Sequence, residues 1–282
     1  MAKLTIPEIK DKKVRKEKIT MLTAYDYPLA KIIEKAGIDI LLVGDSLGNV
    51  VLGYESTVPV TMDEMLHHAK AARRGAPDTF LIGDMPFLSY QVSNEDAVKN
   101  AGRFIKEAGC DAVKIEGGSN VKEQIAAILK AGIPVLGHLG LTPQTATMLG
   151  GLKVQGRDLS SAESICRDSL ILEKIGCFAV ILECIPHQLA KIISEKLTIP
   201  VIGIGAGNFC DGQVLVTHDM LGLISRFKPR FVKQYLDLNS QIEDAVNRFK
   251  SDIENNEFPG EEHSFKMKED ILKKLLKKLE EE

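Results

Sequence analysis

The sequence predicts an α/β fold, a (β/α)8 TIM barrel with an N-terminal helix and a C-terminal helical extension. Two observations support this prediction: eight short apolar runs rich in β-branched residues follow one another, and amphipathic segments separate them. Continuous apolar runs are typical of strands that are buried on both faces of a parallel sheet. A chain of 282 residues has room for eight strand–helix units, which occupy roughly 250 residues in a typical barrel.

Each strand candidate ends in or near a glycine, an acid or a histidine. The eight candidates are residues 19–26, 40–46, 80–87, 112–118, 134–141, 179–185, 200–207 and 215–222. A doubly wound open sheet is the alternative fold, although it usually has fewer strands in a row. Its glycine-rich phosphate turn would follow the first strand, where the segment ITMLTAYDY contains no glycine.

Amphipathic segments between the strand candidates predict the outer helices. They cover residues 28–36, 62–74, 94–108, 120–131, 161–175 and 186–197. Gly109 and Gly176 directly follow two of them, and glycine commonly ends a helix because it adopts a positive φ at little cost. Thr61 precedes Glu64 at the start of another, which is the spacing of a capping box.

No linker divides most of the chain, so residues 1–265 are predicted to form a single catalytic barrel domain. Residues 266–282 intersperse leucine and isoleucine with lysine and glutamate, which predicts an amphipathic helical tail. Two long irregular segments, 47–61 and 141–159, follow strand candidates. Loops after barrel strands border the active site in this fold, so both segments are candidate substrate loops.

Composition excludes several classes of protein. With 36 basic and 39 acidic residues the net charge is −3, whereas nucleic-acid binders usually carry a basic excess. No apolar run approaches the ~20 residues of a membrane span, and the first residues lack the apolar stretch of a signal peptide. Five cysteines without a CxxC pair favour a reducing compartment. We therefore expect a cytoplasmic protein that binds neither nucleic acid nor membrane.

Charged and polar residues stand at the predicted strand ends. Because the carboxyl ends of barrel strands meet at one mouth, we expect these side chains to share a site. A buried charge is costly unless it is paired, ligated or used in chemistry. Clustered acids without a cysteine–histidine cluster favour Mg²⁺ over Zn²⁺. The residues are Asp45, Ser46, Asp84, Lys114, Glu116, His138, Glu183, His218 and Asp219.

Each of these residues alone has an ordinary structural interpretation. Asp45 or Asp84 could cap the helix that follows it, because aspartate is a common N-cap residue. Lys114 could pair with an acid on a helix, and His138 could be a buried structural histidine. Their joint occurrence at the ends of successive strands is harder to explain in this way and favours a shared catalytic site.

Two further features allow more than one interpretation. The glycines of GIGAG, residues 203–207, resemble a phosphate-binding turn, but small residues also allow loops to approach closely. Cys184 directly follows Glu183. Successive strand residues point to opposite faces, so we expect Cys184 to pack in the core and not to act as a nucleophile.

Longer motifs run through the predicted strands and loops. They include TAYDY (23–27), LVGDSLG (42–48), VKIEGG (113–118), GHLGLTPQ (137–144), LECIP (182–186), PVIGIGAG (200–207) and PGEEHSF (259–265). Together they resemble the ketopantoate hydroxymethyltransferase family over about residues 4–265. That family is similar to the phosphoenolpyruvate mutase and isocitrate lyase group of Mg²⁺-dependent barrels, which agrees with the predicted fold.

The resemblance implies an enzyme of pantothenate biosynthesis. Such an enzyme transfers a hydroxymethyl group from 5,10-methylenetetrahydrofolate, its co-substrate, to 3-methyl-2-oxobutanoate, and the products are 2-dehydropantoate and tetrahydrofolate. The reaction uses Mg²⁺ and passes through an enolate that the metal stabilises. The resemblance also implies a homo-oligomer, which is a decamer in many members of the family.

The resemblance assigns the metal and the 2-oxo acid to particular residues. Asp45 and Asp84 match the Mg²⁺ ligands, and Glu116 matches a further acid of the metal shell. Ser46 and Lys114 match substrate-binding positions, which Asp45 and Asp84 share through the metal. This sequence shows no departure from the family pattern at these positions.

Glu183 matches the proton acceptor of the family. His138 is our own hypothesis for a residue that orients the enolate or carries a proton. The alternative function is an Mg²⁺-dependent lyase or mutase of the phosphoenolpyruvate mutase–isocitrate lyase superfamily acting on another 2-oxo acid. Such relatives generally need a cysteine in a loop after a strand, and the two long loops contain none. A catalytically silent scaffold barrel is disfavoured because no metal-ligand or base position is lost.

Overall fold

The computed structural model describes residues 3–224 and 229–281. The described residues form a closed barrel of eight parallel strands in sequence order, which confirms the predicted fold class. By their contacts they divide into two compact units, one ending at Tyr235 and the other beginning at Leu236. The strands are β1 Ile19–Thr23, β2 Ile40–Val43, β3 Phe80–Asp84, β4 Ala112–Glu116, β5 Val135–Gly140, β6 Ala179–Glu183, β7 Val201–Ile204 and β8 Gly212–Leu215.

Helices of the first unit lie between most consecutive strands, although residues 205–211, which connect β7 to β8, contain no helix. The predicted capping box at Thr61 is present, because Glu64 accepts hydrogen bonds from the Thr61 backbone and hydroxyl. Gly109 and Gly176 end their helices with φ of 68° and 107°, as predicted. The helices are α1 Ile6–Val14, α2 Tyr27–Lys35, α3 Leu47–Val50, α4 Met62–Gly75, α5 Asn94–Ala108, α6 Lys122–Lys130, α7 Leu159–Ile175, α8 His187–Lys196 and α9 Thr217–Met220, with 3-10 turns at Ser119–Val121 and Pro143–Thr145.

The eighth strand lies earlier in the chain than the sequence predicted. β8 ends at Leu215, and His218 and Asp219 lie on the short helix α9 rather than at a strand end. Val214 of β8 is buried in the barrel, whereas the neighbouring Gln213 is exposed. The strand therefore lacks the continuous apolar run that predicts a strand covered on both faces.

The first helix, α1, closes the amino end of the barrel. Its Ile9 is fully buried among the inward-facing side chains of the strands, including Ile19 and Met21. Lysines of the same helix pair with aspartates that directly precede strands: Lys12 contacts Asp39 before β2 at 2.5 Å, and Lys13 contacts Asp211 before β8 at 2.8 Å. A second apolar layer lies between the strands and the outer helices.

The second unit consists of α10 Leu238–Glu254, a 3-10 turn at Glu261–His263 and α11 Glu269–Glu280. The last of these helices falls within the segment 266–282, where the sequence predicted an amphipathic helix. Ile271, Leu275 and Leu279 recur along α11 at four-residue spacing, as in one apolar face of a helix. Among the residues that the structure describes, no helix combines the length and the apolar character that crossing a bilayer requires.

Gly83 of β3 allows α5 to pack closely on the barrel, beside the site described below. A methyl group at Gly83 would lie 2.2 Å from Cδ1 of Phe104, which is fully buried on α5. We expect Gly83→Ala to lower the free energy of unfolding by about 1–3 kcal/mol or more through overpacking. Urea denaturation followed by circular dichroism measures this change.

Gly102 on the same helix provides the matched control. A methyl group there meets no atom within 4 Å, and alanine is favoured over glycine in a helix interior by about 1 kcal/mol. We expect Gly102→Ala to raise the urea midpoint. Equal midpoints for the two variants would show that contact with Phe104 is not what requires glycine at position 83.

Candidate active site

The ends of five neighbouring strands bring buried acids and bases together at one mouth of the barrel. Asp45 follows β2, Asp84 ends β3, and Glu116 ends β4. His138 lies on β5 and Glu183 ends β6. All but Glu183 are almost completely buried. The parallel register produces this arrangement, since it places Asp84 beside Lys114 and Glu116 beside His138 on adjacent strands.

Lys114 supplies the buried positive charge of the site. Its Nζ lies 2.8 Å from both carboxylate oxygens of Asp84 and 3.5 Å from Oε1 of Glu116. Burial alone would lower the pKa of Lys114, but the charges of Asp84, Glu116 and Asp45 outweigh burial and raise it. The lysine is therefore charged at neutral pH, and the pair is not a contact between a strand and a helix as the ordinary interpretation proposed.

Asp45 takes part in two hydrogen bonds, and no Lys, Arg or His among the described residues forms an ion pair with it. Its backbone N–H donates to Oδ2 of Asp84 at 3.1 Å, and its own Oδ2 accepts from Nε2 of Gln144 at 2.9 Å. Burial and the neighbouring charge of Asp84 raise the pKa of Asp45 well above its usual range, and Lys114 offsets this only in part. The N-cap residue of α3 is Ser46, and its side chain makes no capping hydrogen bond, so Asp45 is not the cap of this helix.

His138 lies between two carboxylates. Its Nδ1 is 3.3 Å from Oε1 of Glu116, and its Nε2 is 3.2 Å from Oε2 of Glu183. The separations are those of ion pairs, although neither ring nitrogen is aligned for a hydrogen bond. Burial and the charge of Lys114 lower the pKa of His138, but the two carboxylates outweigh them and raise it to about 9. The imidazole is therefore protonated at neutral pH.

Ser46 lies at the edge of the same group of residues. Its Oγ is 2.8 Å from the hydroxyl oxygen of Tyr25, which is buried after β1. The ring of Tyr25 packs against His218 of α9 at a centroid distance of 5.3 Å. His218 and Asp219, which the sequence placed at the end of the eighth strand, thus lie near this mouth on a helix, and His218 contacts Tyr25 rather than the acids.

The donor set fits a hard divalent cation that also binds substrate and water. Among the residues that the structure describes, no three His, Cys, Asp or Glu side chains stand together at metal-ligand spacing. Mg²⁺ typically needs only one or two protein carboxylates, because water and substrate supply its other ligands. Asp45 and Asp84 are two adjacent buried carboxylates. One lysine, Lys114, contacts both Asp84 and Glu116. A further cation would stabilise the ionised form of Asp45.

Comparison with known proteins then decides the family. The model of the ketopantoate hydroxymethyltransferase family matches residues 3–261. The chain belongs to this family. A 3-methyl-2-oxobutanoate hydroxymethyltransferase of Syntrophomonas wolfei is 53% identical over 275 residues, which cover 98% of this chain and 100% of the relative. Its counterpart in Clostridium botulinum strain 657 is 55% identical over 271 residues, covering 96% and 98%.

Solved structures with this fold come from the phosphoenolpyruvate mutase and isocitrate lyase superfamily. A phosphoenolpyruvate phosphomutase of Streptomyces platensis superposes with a TM-score of 0.61 at 15% identity, covering 90% of this chain and 88% of that one. A phosphonopyruvate hydrolase in complex with oxalate and Mg²⁺ has a TM-score of 0.61 at 12% identity, covering 98% and 97%. At identities this low, the similarity shows a shared fold and nothing further.

Two neutral residues of the site had no signal in the sequence. Gln144, in the 3-10 turn after β5, contacts both Asp45 and Glu116. Tyr90, in the segment between β3 and α5, donates its hydroxyl toward Oε1 of Gln144. Gln144 ends the motif GHLGLTPQ, but nothing in its residue type separates it from a surface glutamine, because only its placement makes it part of the site.

The surroundings of Cys184 and of the glycine-rich turn explain both features without a catalytic role. Burial raises the pKa of the Cys184 thiol to about 12, so the thiol stays protonated at neutral pH and is a poor nucleophile. Cys184 has a φ of 48° and is only partly buried. A methyl group at Gly205 would lie 2.8 Å from the ring of Phe231, and one at Gly207 would lie 2.4 Å from Cβ of His187. Close approach is thus a sufficient reason for glycine at both positions.

The charge state of His138 gives a pH prediction for the metal-free protein. A ring whose pKa is about 9 in the folded protein and 6.5 when unperturbed stabilises the fold fully below pH 6.5, and this contribution is lost as the pH rises through about 9. We expect the imidazole ¹⁵N shifts of His138 to titrate near pH 9. Glu116→Gln and Glu183→Gln each remove one carboxylate and should lower this midpoint. A midpoint near 6.5 in the wild type would contradict the charged state.

Removing the buried cation should be costly. Breaking a buried ion pair by deleting one partner typically costs about 3–5 kcal/mol, so we expect Lys114→Met to lower the free energy of unfolding by that amount. Lys70→Met is the matched control, because Lys70 pairs with Glu107 at 3.3 Å while 41% exposed, and exposed pairs contribute at most about 1 kcal/mol. Urea denaturation compares the two. Similar losses would mean that Asp84 and Glu116 do not depend on Lys114.

Proposed function

We propose that this protein transfers a hydroxymethyl group from 5,10-methylenetetrahydrofolate to 3-methyl-2-oxobutanoate, giving 2-dehydropantoate and tetrahydrofolate. One observation carries the proposal. His138 contacts both Glu183 and Glu116, so Glu183 lies close to the buried acids at the ends of β2, β3 and β4. This arrangement provides a base next to a site for an anionic oxo acid and a cation. The relatives that cover 96–98% of the chain carry the name of this activity.

Asp45 and Asp84 would hold Mg²⁺, with Glu116 behind them. When bound, Mg²⁺ supplies positive charge beside the keto oxygen of the substrate, where negative charge develops. The presence of oxalate and Mg²⁺ in the solved phosphonopyruvate hydrolase supports a divalent cation at this mouth. The contacts of Glu116 with His138 and with the backbone of Gln144 suit a supporting acid better than a direct ligand.

Lys114 and Ser46 would bind the 2-oxo acid. Lys114 is a fixed positive charge, because its Nζ is anchored on Asp84, and it can attract the carboxylate of the substrate. The Ser46 hydroxyl is oriented by Tyr25 at 2.8 Å and can donate to a substrate oxygen. Together they would hold the substrate with its C3 hydrogen toward β6.

Glu183 would remove the proton from C3 of 3-methyl-2-oxobutanoate. The carbon lies next to a keto group, so the electron pair left by the proton spreads onto the keto oxygen as an enolate. His138 lies 3.2 Å from the Glu183 carboxylate and would hold it in place beside the substrate. The C3 carbon then bonds to the methylene carbon of the folate, and both carbon–nitrogen bonds of that carbon break. One water molecule supplies the hydroxyl group of 2-dehydropantoate, and its remaining proton and the proton from C3 go to the two folate nitrogens.

Three further proposals rest on the sequence. The five cysteines without a CxxC pair support a reducing compartment, the cytoplasm. The family resemblance supports a homo-oligomer, and a decamer in particular. A catalytic domain covering residues 1–265, with the tail 266–282 outside it, is also proposed from the extent of the resemblance.

Exchange of the C3 hydrogen with deuterium tests the base directly. We expect the wild type with Mg²⁺ to exchange this hydrogen in ²H₂O without any folate, as followed by proton NMR. Glu183→Gln should slow the exchange about 10²- to 10⁴-fold, the usual contribution of a general base. Glu195→Gln is the matched control, because Glu195 lies exposed on α8, where it forms an ion pair with Lys191 at 3.8 Å.

Two outcomes would change the proposal. Exchange in Glu183→Gln at the wild-type rate would remove Glu183 from the base role. Exchange by the wild type without formation of 2-dehydropantoate, when 5,10-methylenetetrahydrofolate is added, would instead favour the lyase or mutase alternative on a 2-oxo acid.

A further inference from the structure

Gln144 contacts both buried acids at once. Its backbone N–H donates to Oε2 of Glu116 at 3.1 Å, and its side-chain Nε2 donates to Oδ2 of Asp45 at 2.9 Å. The second proton of Nε2 goes to the backbone oxygen of Met85, also at 2.9 Å. A single residue of the loop after β5 therefore bridges the ends of β2, β3 and β4.

The amide of Gln144 has one favourable orientation. Asp45 and the Met85 carbonyl present only acceptors to it, so a flipped amide would place its oxygen against two other oxygens. On the other side, the hydroxyl of Tyr90 lies 2.9 Å from Oε1 of Gln144 and 3.0 Å from the backbone oxygen of Glu116. The Tyr90 ring is buried, so its hydroxyl forms a fixed support behind the amide.

Gln144 orients Asp45 without neutralising it. Lys114 contacts both oxygens of Asp84 and compensates the charge of that acid, whereas Asp45 receives a neutral donor. The amide takes Oδ2 and leaves Oδ1 without a hydrogen-bond donor among the residues that the structure describes. One oxygen of the Asp45 carboxylate is thus left for a cation, and the rotation of this side chain is restricted.

We propose that Gln144 and Tyr90 form a positioning pair that fixes the Asp45 carboxylate for binding of a divalent cation. The proposal rests on the proposed function, because it requires a metal at Asp45. It also gives the loop after β5 a role in the site, since the 3-10 turn Pro143–Thr145 carries the residue that reaches Asp45. Neither Gln144 nor Tyr90 need touch the substrate.

Binding of Mn²⁺ to the full-length protein tests the pair. Free and bound Mn²⁺ are distinguished by electron paramagnetic resonance, with 3-methyl-2-oxobutanoate present. We expect Gln144→Met, which keeps the length of the side chain and removes the amide, to weaken Mn²⁺ binding about 10- to 100-fold, the usual effect of losing a group that orients a metal ligand. Tyr90→Phe removes only the hydroxyl and should weaken binding less, in the same direction.

Gln124→Met is the matched control. Gln124 is partly buried on α6, and its Oε1 has no hydrogen-bond partner within the described part of the chain, so its loss should leave Mn²⁺ affinity unchanged. Excess Mn²⁺ should restore C3 exchange in Gln144→Met, because a positioning defect weakens the metal complex and leaves the base intact. A purely structural defect would not respond to the concentration of the metal.

The outcomes separate this inference from the proposed function. Mn²⁺ affinity in Gln144→Met within twofold of the wild type, or a loss of exchange that excess Mn²⁺ does not restore, would overturn the positioning role alone. A wild type that binds no Mn²⁺ would overturn the metal site and the inference with it. If Gln144→Met does not fold, as judged by circular dichroism, unchanged affinity in Tyr90→Phe overturns the pair.

Discussion

The contact between Lys114 and Asp84 is the interaction on which the site depends. Parallel register places the two residues side by side on β3 and β4, and both carboxylate oxygens lie 2.8 Å from the ammonium group. Three acids that point into one apolar barrel would otherwise repel one another at a high cost in desolvation. The single positive charge of Lys114 on β4 offsets part of the cost of burying Asp45, Asp84 and Glu116 away from water.

Charge is distributed unevenly across the mouth, and this distribution suits the proposed chemistry. Asp84 and Glu116 lie near cations, Lys114 on one side and His138 on the other, whereas the Asp45 carboxylate accepts a hydrogen bond from the neutral amide of Gln144. The acid that a bound cation would stabilise most therefore stands on the side of β2. The side of β6 ends in the partly exposed carboxylate of Glu183, where a substrate hydrogen can reach it. The proposed function thus places cation binding on the β2 side of the mouth and proton removal on the β6 side.

Sequence alone could predict the barrel and the charged part of the site, because both leave strong patterns. Acids inside apolar runs are conspicuous, and the fold brings strand ends together. Gln144 could not be found in this way, since a neutral side chain gives no such contrast and meets Asp45 from 99 positions away along the chain. The eighth strand was misplaced for a related reason: Gln213 faces solvent, so burial on one face alone left no continuous apolar run.

The plug formed by α1 has a kinetic consequence. Because Ile9 fills the amino end of the barrel and lysines of that helix are tied to the residues before β2 and β8, the carboxyl mouth is the open end of the described barrel that leads to the acids. Both reactants of the proposed function would enter through this mouth. The one that binds nearer the acids would have to bind first and its product would leave last, so the proposed function predicts an ordered sequence of binding and release.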